Sequence, residues 1–472
     1  TVASTDLTVS GTVSGQDLTL SGSGSMTAGA NVGTNKTINT TGLSLGNGVS
    51  GTPGSTSNYS LVGGTHQITI TQRPVTISGS RFYDSTTTVN SSDISVFNNR
   101  VGGQTLSITG SGTVATAVAG SGKTVTLGNL TLADGTGSAS NYSLASGTFD
   151  INSRQVNIAG SRIYDGTTTV NGSDLVITTG VGSEVLTVNG TGSIANANVA
   201  SNKSVTAGTL ALSSASGNAS NYSMGTITLT VTQRPINVDL EKTYDATTDA
   251  SAGDLKSNGI TNTVLGHSLT LNGTGTMSNT SVGIGKSVSV GTLSVSGAQS
   301  SNYTLVGGTH TIDVNPRTTN ASGTRHYDAT TIAGSSAFST FSNSVGGDTI
   351  TLSGTGSIAS AGIGSKGVTI GSLQSAHPNY ILGNATLTVT KRPINLSGRR
   401  IRGGTTDILA SELSFGNLAA SETLTLTGQG TIPVIRVGSH ALNLFTLSMS
   451  NGSGSTSNYT FTGGSFIFTI LD

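Results

Sequence analysis

The feature that most limits what this chain can fold into is a recurrence. An Asn-Tyr pair appears six times, with tyrosines at Tyr59, Tyr142, Tyr222, Tyr303, Tyr380 and Tyr459, which by subtraction lie 83, 80, 81, 77 and 79 residues apart. A period of that size, with copies this alike, marks a tandem array, and that reading comes before any local one. The stretch from Asn221 to Thr248 shows the grammar: Asn-Tyr, an alternating apolar run (Ile227, Leu229, Val231), an Arg234-Pro235 joint, a second alternating run, then Tyr244-Asp245.

Taking the Arg-led joint as a boundary, full units start at Arg73, Arg154, Arg234, Arg317 and Arg392, with Pro74, Pro235 and Pro393 beside three of them. The expected division is 1–72, 73–153, 154–233, 234–316, 317–391 and 392–472. Ten residues after each Arg stands the tyrosine of Tyr83-Asp84, Tyr164-Asp165, Tyr244-Asp245 and Tyr327-Asp328; in the last unit Arg402 stands there. Ten further on lie Asp93, Asp174, Asp254 and Glu412, with Ala337 the exception. Spacing that tolerates no insertion is how paired strands of fixed register behave. Length varies later, in Gly/Ser/Asn stretches that read as loops.

Short alternating runs bounded by turn residues predict six to eight strands per unit, for instance Thr105 to Thr109 and a Lys-led strand from Lys123 to Leu132. The small-residue stretch Thr113 to Ala119 reads either as strand or as one helical turn. The expected fold is all-β, a tandem array of about six small antiparallel β-sandwich or β-grasp-like units forming an elongated rod. A β-helix would show a period of roughly 20–30 residues, and none is visible. Proline removes a donor and extends the residue before it, so Arg-Pro suits a taut joint without a flexible linker. With strands of about ten residues, six units reach on the order of 200 Å.

Composition narrows the function. Charged residues make up 9%, and 21 Lys+Arg balance 21 Asp+Glu. No basic stripe exists to hold nucleic acid or an anionic membrane. No apolar run is long enough to span a bilayer as a helix. Cysteine is absent, so there are no disulfides or thiolate metal sites. With no signal peptide ahead of Thr1, the chain reads as a processed product or a segment of something longer.

The residues support no catalytic reading. The six histidines scatter, apart from the equivalent His66 and His310, and no metalloprotease, esterase or phosphate-loop motif appears. All ten tyrosines are used by the two motifs and are expected to be structural, each hydroxyl bonded to nearby backbone. The asparagines before them (Asn58, Asn141, Asn221, Asn302, Asn379 and Asn458) suit turn or left-handed positions. The Asn-Tyr-Ser/Thr sequons follow from that motif in a Ser/Thr-rich background. The Tyr-Asp carboxylates can accept backbone N–H bonds of their own turn. Calcium at the joints is the alternative role for these carboxylates, but it wants six to eight oxygens and no D-x-D-x-D-G run offers them, so the expectation is no cofactor. The second acidic position and the lysines Lys36, Lys123, Lys203, Lys286 and Lys366 are expected to form solvated opposite-charge pairs.

Tyr-Asp-Gly-Thr-Thr at Tyr164 to Thr168, Gly-Lys-x-Val at Gly122 to Val125, Ser-Asn-Tyr-Ser and the Gln-Arg-Pro exit resemble the YDG repeat of large secreted bacterial adhesins of the filamentous-haemagglutinin type. The resemblance runs over the whole chain, weakest in the last unit, and no haemagglutination-type domain precedes it here. It implies an extracellular or bacterial cell-surface location and a shaft that spaces a functional head. The competing reading is an adhesin repeat that binds a surface glycan or a host or biofilm partner. Thr1 to Leu7 aligns with Thr88 to Ile94, so the first unit lacks its first strand and the Tyr-Asp turn. An open groove there could accept a strand from another copy, giving a head-to-tail homopolymer by donor-strand complementation. The expected contact residues are Thr1 and Val2 on one side and Arg402, Phe466 and Phe468 on the other.

Overall fold

A computed structural model describes all 472 residues. The chain is all-β; its only helical pieces are three-residue 3-10 turns. It forms two compact units, Thr1–Thr232 and Gln233–Asp472. Each unit is a run of repeats, and the expected all-β tandem array is what the chain contains.

The second repeat shows how one copy is built. Its main sheet has the order Thr88–Asn90, Ser111–Val114, Gly120–Thr126, Tyr142–Asn152, Arg73–Phe82, Ile94–Asn98. Tyr142–Asn152 and Arg73–Phe82, the last and first strands, lie side by side in parallel, with Tyr142 opposite Arg73 and Asn152 opposite Phe82. The other pairings are antiparallel. Side chains alternate along the first strand, so Val75 and Ile77 are fully buried while their neighbours face outward. A parallel central pair of terminal strands is a β-grasp-like arrangement, one of the two expected. A separate two-stranded ribbon, Leu106–Thr109 with Thr131–Asp134, covers one end. The expected Lys-led strand is thus two strands, broken by a turn in which Gly128 has φ 54°. Thr113 to Ala119 starts as strand and has no helical turn.

The same parallel pair recurs within each unit: Arg154–Ile163 with Tyr222–Thr232, Asn237–Thr243 with His310–Asn315, Arg317–His326 with Tyr380–Thr390, and Asn395–Ile401 with Phe466–Leu471. In the first repeat the last strand, Gln67–Ile70, pairs only with Gly33–Asn39, and its other edge is open. Behind that edge lies a cavity of about 350 Å³ floored by Leu7, Leu18, Leu20, Leu43 and Leu61. Ile68, equivalent to the fully buried Phe149, is only half-buried there.

One sequence expectation about side chains is corrected by this packing. The second acidic residues do not pair with the repeat lysines. Asp93, Asp174 and Asp254 instead accept the backbone N–H of Asn90, Asn171 and Ser251 at 2.8 to 3.1 Å, capping a 3-10 turn. The lysines reach loop oxygens, such as Lys203 Nζ to Asn198 O at 2.6 Å and Lys286 Nζ to Asn279 O at 2.8 Å. Burial holds both ammonium groups below the ordinary lysine pKa. The cation beside the Tyr-Asp carboxylate is a first-strand residue that sequence reading passed over. Arg81, Arg162, Lys242 and Arg325 lie 3.2, 3.4, 2.9 and 3.0 Å from Asp84, Asp165, Asp245 and Asp328.

The expected strand donor is corrected as well. Phe468 is fully buried and Phe466 packs on Phe461, both inside the sixth repeat. Phe466–Leu471 is already paired on both edges, so donating it would empty its own core.

Candidate functional site

Within each compact unit, many of the residues singled out by the repeat motifs converge at the joints between neighbouring repeats. Each receiving repeat contributes a four-residue loop that begins with Val or Ala and ends on a polar side chain. Val101 to Gln104, Val181 to Glu184, Val345 to Asp348 and Ala419 to Glu422 are examples, and in each the backbone N–H of the last residue donates to the carbonyl of the first at 3.1 Å. The first N–H of the loop donates to the Asn-Tyr hydroxyl, as in Val101 to Tyr142 (3.2 Å), Val345 to Tyr380 (3.0 Å) and Ala419 to Tyr459 (3.0 Å). The hydroxyl in turn donates to the side chain that ends the loop. Tyr222 reaches Glu184 Oε2 at 2.5 Å, and Tyr459 reaches Glu422 Oε2 at 2.6 Å.

The Tyr-Asp tyrosine of the preceding repeat completes the site. Tyr83 donates to Glu184 Oε1 at 2.5 Å, Tyr244 to Asp348 Oδ2 at 2.9 Å, and Tyr327 to Glu422 Oε1 at 2.6 Å. Each of these rings meets the receiving tyrosine edge to face, with centroids 5.4 Å apart for Tyr83 and Tyr222 and 5.5 Å for Tyr244 with Tyr380 and Tyr327 with Tyr459. T-shaped pairs of this kind contribute about 0.5–1.5 kcal/mol beyond area burial. Two hydroxyls from two repeats therefore share one carboxylate, and the apolar cores on either side run together through the rings.

The asparagine beside the receiving tyrosine makes a second cross-link. Its Oδ1 accepts a backbone N–H from the repeat before: Val32 to Asn141 at 2.8 Å, Ala119 to Asn221 at 2.9 Å, Val282 to Asn379 at 3.0 Å and Ile363 to Asn458 at 3.3 Å. Asn302 and Tyr303 are buried, as are the pairs at Asn221, Asn379 and Asn458, and His267 Nδ1 lies 2.7 Å from the Tyr303 hydroxyl.

Burial raises the hydroxyl pKa values first, and the shared carboxylate adds to it by holding the proton on oxygen. Tyr327 and Tyr459 are pushed up to about 12, and Tyr83, Tyr222, Tyr244 and Tyr380 move the same way. The companion aspartates shape the turn. Asp84 Oδ1 accepts the Thr86 N–H at 2.9 Å across Ser85, whose φ is 67°, and Asp165, Asp245 and Asp328 do the same for Thr167, Thr247 and Thr330. Burial raises Asp245, but Lys242 and the Thr247 backbone and hydroxyl together bring it below the ordinary carboxylate value. Tyr164 is buried, and its N–H closes the strand end on Thr232 O at 2.9 Å.

The joint arginines serve mainly their own repeat. Arg73, Arg234, Arg317 and Arg392 each donate through Nε to the carbonyl of a left-handed asparagine, from 2.5 to 2.7 Å, at Asn99, Asn262, Asn343 and Asn417. Asn99, Asn262 and Asn417 donate back to Pro74, Pro235 and Pro393. Arg317 and Arg392 also donate to the Tyr244 and Tyr327 carbonyls of the repeat before, both at 3.2 Å. Arg154 heads the parallel pairing of its repeat opposite Tyr222. Thr1 is exposed and Val2 is buried in the first repeat's own core.

Sequence reasoning missed the receiving loop and its acid. A signal was present, because Gln104, Glu184, His267, Asp348 and Glu422 stand 30 to 33 residues after the Arg that opens their repeat. The YDG domain profile matches residues 65–149, 151–229, 228–312 and 310–389. No curated protein matches the chain.

Proposed function

The chain belongs to the YDG-domain family, and from that membership we propose that it works as a structural shaft, a non-enzymatic spacer in a bacterial surface or extracellular adhesin of the filamentous-haemagglutinin type. The observation that carries this reading is the joint. A flexible string of beads needs no side chain shared between neighbours, whereas here a carboxylate, two tyrosines and an asparagine are committed at the boundaries after the second, fourth and fifth repeats. A linker-free boundary that is also filled by packed rings resists bending, and stiffness over length is what a shaft supplies. The tyrosines that could stack on a sugar are largely occupied in this packing.

Small-angle scattering and electron microscopy of the full chain test the proposal. The expected particle is a rod with one dominant long axis. A compact particle, or a distance distribution like that of a random coil, overturns it.

A further inference from the structure

The parallel pair at the centre of each main sheet decides how a repeat meets tension. In the second repeat the first strand enters at Arg73 and the last strand leaves at Asn152. Arg73 lies opposite Tyr142 and Phe82 opposite Asn152, so entry and exit stand at opposite ends of one hydrogen-bonded ladder. At about 3.3 Å per residue they are roughly 30 Å apart along the strands. A pull on the two ends drags the strands past each other along their length, and every bond of the ladder takes load together. Strands peeled apart from one end lose their bonds one at a time. Antiparallel terminal strands would place entry and exit at the same end, and the pair would unzip.

The third and fifth repeats share this geometry, with Arg154 opposite Tyr222 and Ile163 opposite Thr232, then Arg317 opposite Tyr380 and His326 opposite Thr390. The fourth and sixth interrupt the pair but keep its direction: Arg234–Pro235 lies on Tyr303–Thr304 ahead of the longer pairing, and Arg392–Pro393 on Tyr459–Thr460. Both ends of the pair are pinned. At the exit the ladder runs one bond past the strands, as in Tyr83 N–H to Asn152 O and Tyr327 N–H to Thr390 O, both 2.9 Å. At the entry Arg73 Nε donates to Asn99 O at 2.7 Å. Val75, Ile77, Phe149 and Ile151 are buried beneath the pair, so sliding the strands also drags the core. Within each compact unit there is no slack between pairs. One residue, Ser153, Pro316 or Lys391, separates the last strand of a repeat from the first strand of the next.

We propose that these repeats are tension-bearing clamps, each resisting a pull along the chain through shear of its terminal strand pair. Forced unfolding is governed by the barrier crossed along the pull, which equilibrium stability does not set. The parallel pairing therefore gives the chain a mechanical function beyond spacing. It is a property of single repeats, so it stands or falls separately from the rod shape.

Optical-tweezers pulling on two variants of the full chain tests it. The chain has no cysteine, so Gln72→Cys with Asn152→Cys, and Gln72→Cys with Ser140→Cys, place handles at chosen exposed positions around the second repeat. The first pair of handles loads the strands in shear, and the second peels them from their entry end. In shear the repeat is expected to give way in one step of roughly 250 Å, the full extension of residues 72 to 152 less their folded separation. The force should be about twofold or more above that of peeling, since bonds of similar strength are loaded together instead of singly. Pro316→Cys with Lys391→Cys for shear, and Pro316→Cys with Pro378→Cys for peeling, repeat the comparison on the fifth repeat. Equal forces in the two directions, a weaker response in shear, or shear unfolding in several small steps overturns the proposal.

Discussion

Glu422→Gln isolates the shared carboxylate. In the wild type both carboxylate oxygens of Glu422 accept a tyrosine hydroxyl at 2.6 Å, one from Tyr327 and one from Tyr459. The substitution keeps the shape, removes the charge and replaces one acceptor by a donor. Hydrogen bonds to a charged group contribute about 1.5–3 kcal/mol and neutral ones about 0.5–1.5 kcal/mol. One bond therefore weakens and the other is lost, but Glu422 is only half-buried, which brings the expected cost to about 1–3 kcal/mol. Tyr327→Phe removes the second donor, so the pair should be non-additive by about 1 kcal/mol in a double-mutant cycle. A repeat array need not unfold in one step, so the readout is amide hydrogen exchange in the fifth and sixth repeats alongside the thermal melt. Additive effects would refute the shared site. So would a Glu422→Gln variant no less stable than Gln104→Glu, where a single hydroxyl is present.

The remaining expectations concern other parts of the same frame. Tyr244→Phe takes a buried hydroxyl from Asp348, whereas Asp254→Asn keeps one of the two oxygens of a half-buried cap. Thermal unfolding should rank Tyr244→Phe as the costlier by about 1 kcal/mol, and the reverse order would contradict the joint. Gly160→Ala would put a Cβ 1.9 Å from the Asp174 carbonyl, forcing apart Arg154–Ile163 and Leu175–Ile177. A cost of about 1–3 kcal/mol is expected by chemical denaturation, and a neutral result would mean that this backbone approach relaxes freely. Tyr327 and Tyr459 titrate from 10.0 without the fold to about 12 within it, so the stability they contribute is complete below pH 10 and is lost as the pH rises towards 12. Phenolate absorbance followed together with the melting temperature should show these two ionising late and with loss of structure; ordinary titration near pH 10 in a folded chain would contradict it.

Which parts of this were legible in the sequence follows from where the constraints act. The ten-residue interval from Arg73 to Tyr83 was readable because the strand it spans is paired along its whole length with Tyr142–Asn152, and an insertion would turn Val75 and Ile77 out of the core. The pairing itself was not readable. Its partners lie a full repeat apart, and no turn chemistry joins a first strand to a last one in parallel. Asp93 looked like a surface charge because a cap on a three-residue 3-10 turn leaves almost no periodic signature, and only the N–H it accepts gives it away. The tyrosines were recognised as structural, yet the partner expected for them was local backbone. For Tyr83 the partner is Glu184, 101 residues away and in the next repeat. Such a contact is invisible to any reading that treats one repeat at a time.

The divergent sixth repeat shows how tightly the rest is coupled. Losing Tyr-Asp there removes the carboxylate that neutralises the first-strand cation in earlier repeats, yet Arg400 remains. Its guanidinium turns to Glu412 at 3.4 Å and to the Asp407 carbonyl at 3.1 Å, and lies 5.7 Å from the centre of the Phe468 ring. The second acidic residue thus takes over a charge that Asp84 or Asp328 holds elsewhere, while the Leu409 N–H still bonds its other oxygen at 2.9 Å. The fold of this repeat therefore survives without the motif, and what it gives up is the hydroxyl that would have reached a following acid. The Tyr-Asp tyrosine is accordingly a residue of the joint, and the strand and turn that carry it are held by the cation two positions before it.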